Sequence, residues 1–362
     1  MYPPELAEPA PYVKELARGL SKNHKVSVVA YASTSEYTPH VNLFATSKHL
    51  PLPLRFITYT YSLYNASKNS ELIFTQATPT VSIPSLFVGK LLKIPVVVRY
   101  LEDEPWRQSS IRNLVNESPE IFRNTAKENL LVRLFLFLEK TTLNKADHII
   151  TSTHSQKEFL QSFYHLPNKK VTTVYNPVQK EEKLPFAYHT IPHQIITTAH
   201  LTHWSNVATI IQSVALLKKE FPDIKLIIAS DGPEKENLLA LTQKLSLSKN
   251  IVFKGRISKA EAWHLRKTSQ IYIEPSFEER ESLEKTLWSL LAEIPVIVEK
   301  SNTSLEFITD NETGLLFEKN NPESLAQKIR TLFTHDDVKG KITHGGLTAI
   351  QKDISWDAHL LK

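Results

Sequence analysis

A strand end, a Trp, an amphipathic helix, a second strand and an Asp-Gly-Pro turn follow one another between residues 200 and 236. An α/β domain with this layout presents backbone N–H groups, a helix N-terminus and side chains to a diphosphate. The side chains best placed to hold that diphosphate are His200 and Ser205. Asp231 and Gly232 in the turn are the next candidates, and the alternative for them is a plain turn at the start of a helix.

Carboxylates stand near two other predicted strand ends, where the crevice residues of open sheets collect. Glu279 follows a Pro-Ser strand end inside the acidic run FEERESLEK, and a solvated face is the alternative explanation for that run. Asp103 and Glu104, with Trp106 beside them, follow the strand VVVRYL. We expect these three to contact an acceptor, unless the two acids only begin a helix, where the helix dipole favours negative charge. Arg256, after Gly255, could supply a cation or contact a base, or could simply lie exposed in a turn.

Several kinds of chemistry have no support in the residues. The 14 histidines are scattered and form no His-Glu-x-x-His pattern, and the chain has no cysteine, so we expect no metal site. A nicotinamide-binding Gly-x-Gly-x-x-Gly and a Walker phosphate loop are both missing. No Lys/Arg cluster is interleaved with aromatic residues, which argues against nucleic-acid binding.

The elements that must position these side chains alternate between strands and helices. β-branched runs such as residues 25–32, 95–101 and 224–230 are separated by segments with helical spacing. This βαβ order predicts an α/β fold in which two doubly wound, parallel-sheet domains follow each other. We expect the strand that normally opens such a domain to be absent before the YPPE loop, either through truncation or because the domain is built without it.

A chain of 362 residues is too long for a single core, which also favours two domains. We predict an N-terminal domain over residues 1–180 and a C-terminal domain over residues 187–350. Residues 351–362 are predicted to return toward the first domain. No secretory signal or membrane-length apolar run is visible, and with the absence of cysteine this favours the cytoplasm.

The charge is divided unevenly between the two halves. Residues 1–180 carry 21 Lys and Arg against 14 Asp and Glu, while the rest carry 22 against 24. Such a basic half could contact an anionic membrane surface peripherally, or could simply confer solubility. The predicted helix over residues 130–145 has Phe and Leu together with Arg133, Lys140 and Lys145. It could lie on a membrane, and the alternative is an ordinary core helix.

The ordered set of segments resembles glycosyltransferase family 4, the retaining nucleotide-sugar transferases with the two-domain GT-B fold. The resemblance covers the whole chain and is carried by these stretches: YPPELAEPAPYVKELARGL, VRYLEDEPWRQ, ADHIITSTHSQKEFL, VTTVYNPV, DGPEKENL, VFKGRIS, PSFEERESL, PVIVEKSNTSLEFITDNETGLLF and ISWDAHLLK. It implies that Glu279 contacts the donor sugar, that Glu306 aligns with a Glu near the donor, and that the site lies in the cleft between the domains.

The departures from the family pattern fall on the chemistry. The usual Gly-Arg at the strand end reads Ala199-His200, and Ser205 stands where the family has a Lys. Both family cations sit on the donor diphosphate, where fixed positive charge stabilises the leaving group. Trp288 occupies the position of the second glutamate, and Glu284 could replace it only in a shifted helix register. The usual Gly-Gly of the opening loop reads Ala-Glu.

The resemblance implies a hexosyltransferase that moves a sugar from a UDP- or GDP-sugar to a glycan or a lipid-linked acceptor. It further implies retention, no cofactor or obligatory metal, and a role in cell-surface polysaccharide or glycoconjugate synthesis. Two alternatives stay open. The missing cations and glycines would suit a catalytically impaired relative that partners or regulates an active transferase. A GT-B sugar-nucleotide epimerase is the weaker alternative.

Overall fold

A computed structural model describes residues 10–32, 37–47, 49–76, 79–112, 114–115, 122, 129–178, 188–275, 284–354 and 356–361. The chain divides into two compact units. The first comprises residues 1–152, 156–174 and 360–362, and the second comprises residues 153–155 and 175–359. The predicted domain limits at 180 and 187 stay a prediction, and the opening loop before Ala10 lies outside the described residues.

The first unit contains two short parallel sheets in its described part. One pairs β1 with β2, and the other has the order β3-β4-β5-β6. The strands are β1 (Val26–Tyr31), β2 (Val41–Thr46), β3 (Ile73–Gln76), β4 (Val96–Arg99), β5 (His148–Thr151) and β6 (Val171–Thr173). The helices are α1 (Ala10–Leu20), α2 (Leu52–Ser67), α3 (Pro79–Leu92), α4 (Glu104–Ile111), α5 (Leu130–Lys145) and α6 (His154–Tyr164), whose first two residues cluster with the second unit.

The second unit is built on one parallel sheet, and its described strands have the order β12-β11-β10-β7-β8-β9. The strands are β7 (Gln194–Thr197), β8 (Lys225–Ile228), β9 (Ile251–Phe253), β10 (Ile271–Glu274), β11 (Val296–Glu299) and β12 (Leu315–Phe317). The helices are α7 (Val207–Leu217), α8 (Lys235–Lys244), α9 (Lys259–Thr268), α10 (Glu284–Leu291), α11 (Asn302–Leu305), α12 (Pro322–Thr334), α13 (Asp336–Asp353) and α14 (Trp356–Leu361), whose last two residues cluster with the first unit.

The second sheet is covered on both faces, which is why its strands read as continuous apolar runs. Every residue of β7, β10 and β11 is buried. Side chains such as Ile195 and Ile297 belong to one hydrophobic cluster, and Ile196 and Val298 belong to another. Because successive strand residues point to opposite faces, the alternation assigns one cluster to each side of the sheet.

The helix ends follow local rules that the sequence carries. Ser258 accepts a hydrogen bond from the Glu261 N–H and caps α9, and Asn321 caps α12 in the same way through the Ser324 N–H. Pro322 occupies the first turn of α12, where a missing N–H costs nothing. Such caps satisfy amides that have no partner inside the helix.

The predicted fold class is confirmed: both units are Rossmann-like, with parallel strands linked by helices. Strand β2, helix α2 and helix α13 were not predicted, because their residues lack a clear period of two or 3.6. No helix in the described ranges is long and apolar enough to cross a membrane.

Candidate functional site

The predicted donor residues of the second unit follow the carboxyl ends of its strands. His200 comes after β7, Asp231 and Gly232 come after β8, Arg256 comes after β9, and Glu306 comes after β11. All these strands are parallel, so the loops that carry these residues leave the same edge of the sheet. This carboxyl edge is where open α/β sheets bind ligands.

The loops after β7 and β8 are joined by their backbones. The Leu201 N–H donates to the Asp231 carbonyl at 3.3 Å, and the Glu234 N–H donates to the Leu201 carbonyl at 3.0 Å. A Cβ on Gly232 would lie 2.3 Å from the Leu201 carbonyl oxygen. Glycine is therefore required here by the close approach of two backbones, and the approach brings the His200 segment beside Asp231.

The side chains on the loops after β7, β8 and β9 differ in exposure. His200 and Arg256 are exposed, and Arg256 follows Gly255, whose φ of +73° suits glycine. The Asp231 carboxylate accepts the Gly232 N–H at 3.0 Å and lies 3.8 Å from the Lys235 ammonium. The edge thus offers exposed cationic and histidine side chains, with one carboxylate already partly neutralised.

Ser205 lies in a short 3₁₀ turn and is buried rather than presented to the edge. Its hydroxyl donates to the Thr202 carbonyl at 2.8 Å and accepts the Thr202 N–H at 3.2 Å. Asn206 follows in a left-handed conformation, with φ of 54°, and begins α7. The Asn206 amide donates to the buried Glu299 carboxylate at 2.9 Å. A contact between the Ser205 hydroxyl and the donor stays a prediction. The hydroxyl would have to make that contact beside its two hydrogen bonds to Thr202.

Glu306 has two backbone partners. Its carboxylate accepts the N–H groups of His154 and Ser155, each at 2.7 Å. Residues 153–155 cluster with the second unit. This geometry gives Glu306 a structural task, and its predicted contact with the donor is untested.

A buried polar network, which the sequence did not reveal, links two strand ends of this edge. The Tyr272 hydroxyl donates to Glu274 at 2.6 Å and lies 3.1 Å from the Thr198 hydroxyl. Arg266 donates to Thr198 at 3.1 Å and to Ser289 at 2.9 Å. Burial and then the Glu274 carboxylate raise the pKa of Tyr272 well above its ordinary value, so this hydroxyl remains a donor. The network holds the end of β7 against the end of β10. The one signal in the sequence was a Tyr and a Glu in β10, whose other residues are apolar.

Glu279 lies outside the described residues, in the segment after β10. Trp288, at the position where the family has a second glutamate, is half-buried on α10 and packs edge-on against Trp263 with ring centroids 5.9 Å apart. Lys259 lies 5.9 Å from the Trp288 ring centroid. Trp288 is thus part of the hydrophobic packing of the second unit.

In the first unit the predicted acceptor residues begin a helix. The Asp103 carboxylate caps α4 by accepting the Trp106 N–H at 3.1 Å. Glu104 is buried and accepts from Arg107 at 2.7 Å and from Gln108 at 2.8 Å. Trp106 packs against a small apolar cluster. A helix start is the alternative that the sequence left open for Asp103 and Glu104. Contact of Asp103, Glu104 and Trp106 with an acceptor stays a prediction.

A buried cation lies at the carboxyl end of β4 and was missed by the sequence reasoning. Arg99 is 4 % exposed, donates to the Gln76 side chain at 3.2 Å and stacks 3.6 Å from the Tyr12 ring centroid. The signal that the sequence offered for this cation was an Arg at the end of the strand that precedes Asp103. Its position gives this edge of the first unit a fixed positive charge.

The described residues contain no group of three or more His, Asp or Glu side chains that could hold a metal ion. A depression of about 380 Å³ is lined by Arg266, Gln270, Pro295, Lys339 and other residues. Gln270 and Pro295 directly precede β10 and β11, so this depression lies at the amino edge of the sheet. It is therefore separate from the carboxyl-edge site.

Two family models match the chain. The model described as glycosyltransferase family 4 matches residues 10–182, and the one described as glycosyl transferases group 1 matches residues 180–343. The chain is 22 % identical to the alpha-monoglucosyldiacylglycerol synthase of Streptococcus pneumoniae, over 68 % of this chain and 56 % of that protein.

A second relative is the N-acetylgalactosamine-N,N'-diacetylbacillosaminyl-diphospho-undecaprenol 4-alpha-N-acetylgalactosaminyltransferase of Campylobacter jejuni. It is 22 % identical over 81 % of this chain and 74 % of its own length. Among solved structures, HepE from Anabaena in complex with UDP and glucose superposes with a TM-score of 0.72 at 14 % identity, over 96 % of this chain and 92 % of HepE.

The matches to the family models are consecutive and together span residues 10–343. The two parallel-sheet units agree with the GT-B fold of the structural neighbours. The chain therefore belongs to the family 4 and group 1 glycosyltransferases of the GT-B fold.

Proposed function

We propose that the protein transfers a hexose from a UDP- or GDP-sugar to a glycan or a lipid-linked acceptor, with retention of the anomeric configuration and without an obligatory metal. The observation that carries this proposal is the backbone junction between the loops after β7 and β8, which sets the His200 segment beside Asp231 and Gly232. A diphosphate bound there would meet the exposed His200 and Arg256 side chains. In the proposed mechanism Glu279 contacts the donor sugar and Asp103 the acceptor.

The names of the relatives support the choice of substrates. One is a synthase of a glycosylated diacylglycerol, another uses an undecaprenol diphosphate acceptor, and HepE was solved with UDP and glucose. On this basis we propose a role in cell-surface polysaccharide or glycoconjugate synthesis at the cytoplasmic face of a membrane.

The reaction needs positive charge where the nucleoside diphosphate departs. A fixed cation or donor at such a point is worth about 10²–10³ in rate, and an arginine keeps its charge at neutral pH more surely than an imidazole does. Arg256 is always charged and exposed. We therefore expect Arg256 to carry most of the electrostatic stabilisation among the described edge residues.

The test is a panel of UDP- and GDP-hexoses, followed by thermal unfolding and by release of the nucleoside diphosphate. A donor at about 100 times its dissociation constant adds about 2.7 kcal/mol of stability. Glu279→Ala should abolish release, and Arg256→Ala should reduce it by about a hundredfold. Arg330→Ala is the matched control, because Arg330 is also exposed and pairs with Glu220 away from the carboxyl-edge loops. No stabilisation by any donor would refute the proposal.

A catalytically impaired partner protein is the second candidate, and one observation favours it. Asp103, Ser205 and Glu306 are all engaged in capping or turn hydrogen bonds. Such a protein would show no turnover alone and would co-purify with an active transferase. An epimerase would instead interconvert a free UDP-sugar without any acceptor, which the same panel detects.

A further inference from the structure

Three neighbouring helices of the first unit expose large apolar side chains. Helix α3 packs against both α2 and α5. We call their outer surface the α2–α3–α5 face, and the exposed large apolar side chains of these helices include Leu54, Ile57, Tyr61, Phe87, Leu91 and Phe137. Ile57 and Phe87 are each 61 % exposed, and Phe137 is 63 % exposed. Isolated exposed apolar residues are ordinary, but a set on adjacent helices indicates an interaction surface.

The charges on the same face have one sign. Helices α2 and α3 contain no Asp or Glu, and the single acid of α5 is Glu139. Glu139 is buried and accepts the Tyr164 hydroxyl, so the described part of the three helices exposes no carboxylate. Lys90, Arg133 and Lys140 are exposed on α3 and α5.

This combination matches the chemistry of an anionic bilayer surface. Phe, Leu and Ile side chains insert at the boundary between headgroups and acyl chains, and Lys and Arg contact the anionic headgroups. Each basic residue near such a surface contributes favourably, and an exposed carboxylate would oppose binding. A protein partner would match the apolar side chains equally well but would not require the absence of acids on all three helices.

We propose that the α2–α3–α5 face docks the protein onto an anionic lipid bilayer, with the apolar side chains inserted and Lys90, Arg133 and Lys140 contacting headgroups. This deepens the membrane-side location given under the proposed function but does not depend on sugar transfer. The docking is measured without donor or acceptor, so its outcome and that of the transfer assay are independent.

The experiment is sedimentation of the full chain with sucrose-loaded vesicles. One set is phosphatidylcholine alone, and the other contains roughly one third phosphatidylglycerol. We expect binding to the anionic vesicles that weakens at high salt. The triple variants Ile57→Ser/Phe87→Ser/Phe137→Ser and Lys90→Glu/Arg133→Glu/Lys140→Glu should each lower the partition coefficient by about tenfold or more.

Matched controls change the same chemistry on the second unit. Ile191→Ser/Leu216→Ser/Leu305→Ser removes three side chains that are about half exposed, and Lys219→Glu/Lys244→Glu/Lys249→Glu makes the same change in net charge at exposed sites. The apolar control should bind the vesicles as the wild type does. The charge control should retain at least part of the binding that the charged face variant loses. Circular dichroism melting confirms that each variant is folded.

Three results would overturn the proposal. The folded wild type could fail to bind either vesicle, or could bind phosphatidylcholine as well as the anionic mixture. Alternatively, sedimentation velocity could reveal a dimer that only the apolar face variant dissociates, with no binding to vesicles. That last result would assign the face to a second copy of the chain.

Discussion

The second unit buries its apolar residues inside one six-stranded sheet with helices on both faces, whereas the first unit leaves apolar side chains on three of its helices. Strands β7, β10 and β11 are buried throughout. In contrast, β1 alternates between buried and partly exposed positions only after its first two residues, and Thr46 is the one buried residue of β2. Most of the exposed large apolar side chains in the described chain belong to the first unit. Two units of the same fold class can therefore differ in how many apolar side chains they leave exposed.

The two units also differ in how polar groups are used at the carboxyl edge. The second unit contains a buried network around Tyr272 and joins its loops through Gly232. The first unit places the buried Arg99 at β4 and caps α4 with Asp103. One edge is braced by a buried network that includes Tyr272, Glu274 and Arg266, and the other holds a buried cation, Arg99.

The largest effect should come from the core of the second unit. Ile297→Ala should lower the free energy of unfolding by about 2–5 kcal/mol, because Ile297 is fully buried on a strand that has a neighbour on each side in the sheet. Phe87→Ala on the first unit should change it by no more than about 0.5 kcal/mol. Chemical denaturation measures both. An equal loss for Phe87→Ala would show that the α2–α3–α5 face is covered in the free protein.

Both units contain a glycine whose surroundings leave no room for a Cβ. Substituting these glycines should separate an effect on packing from an effect on the candidate site. A Cβ at Gly232 would meet the Leu201 carbonyl at 2.3 Å, and one at Gly89 would meet a Val96 methyl at 2.3 Å. Both Ala variants should lower the free energy of unfolding by about 1–3 kcal/mol. Only Gly232→Ala should also weaken the stabilisation given by a nucleotide-sugar.

Gly340→Ala is the control for these glycine variants. Gly340 lies within α13, and a Cβ there would meet nothing within 4 Å. Alanine should therefore stabilise the protein by about 0.5–1 kcal/mol through helix propensity alone. Destabilisation by Gly340→Ala would contradict the packing account on which the other two predictions depend.

The Tyr272 network should give a loss of similar or smaller size. Tyr272→Phe leaves the buried Glu274 carboxylate without its hydroxyl donor, which should cost about 1–3 kcal/mol at neutral pH. A double-mutant cycle with Glu274→Gln measures the coupling between the two side chains. A coupling energy near zero would mean that Glu274 finds another donor.

The same residue predicts an alkaline effect. The pKa of Tyr272 is raised well above 10.0 by burial and by Glu274. Above pH 10 the unfolded tyrosine loses its proton while the folded one keeps it, so the free energy of unfolding falls as pH rises. Burial also raises the pKa of Tyr59 in the first unit. Tyr272→Phe and Tyr59→Phe should each flatten the alkaline slope in urea titrations, and an unchanged slope would contradict the assignment for that unit.

Surface ion pairs should have the smallest effect and should not distinguish the units. The hydrogen bond from His193 lowers the pKa of Asp223 from its ordinary 3.8. The stabilisation that this hydrogen bond gives to the folded state is present above pH 3.8 and is lost as pH falls below that value. Because Asp223 is 64 % exposed, solvent screening limits the effect of Asp223→Asn to less than about 1 kcal/mol. Glu15→Gln, which removes the Arg18–Glu15 pair of the first unit, should behave alike in the same denaturation assay.

Most elements of the fold could be predicted because each carries its own period. The strands around Ile196, Ile227 and Ile297 are β-branched runs of the length that a buried parallel strand requires. Helix α2 escaped prediction because apolar and aromatic residues occur all round it, and the reason is visible in the structure: Tyr59 and Leu63 face the core while Ile57 and Tyr61 face outward. The sequence pattern does not separate these two sides.

The candidate site was predictable only in part. Because βαβ connections make the strands parallel, the sequence could place His200, Asp231 and Arg256 at one edge. It could not show that Ser205 is buried in its own turn or that Glu306 accepts two amides of residues 154 and 155. A side chain next to a strand end has several rotamers and partners, and sequence position does not choose among them.

The order of residues by itself determined the parallel α/β units, the family and the run of candidate residues after successive strands, because short-range periodicity and motif spacing are written along the chain. Only the tertiary structure decided that Gly232 touches the Leu201 backbone, that Arg266 reaches Thr198 and that three helices leave apolar side chains in water. These contacts join residues far apart in sequence, and the stacking of strands and helices sets the distances between them.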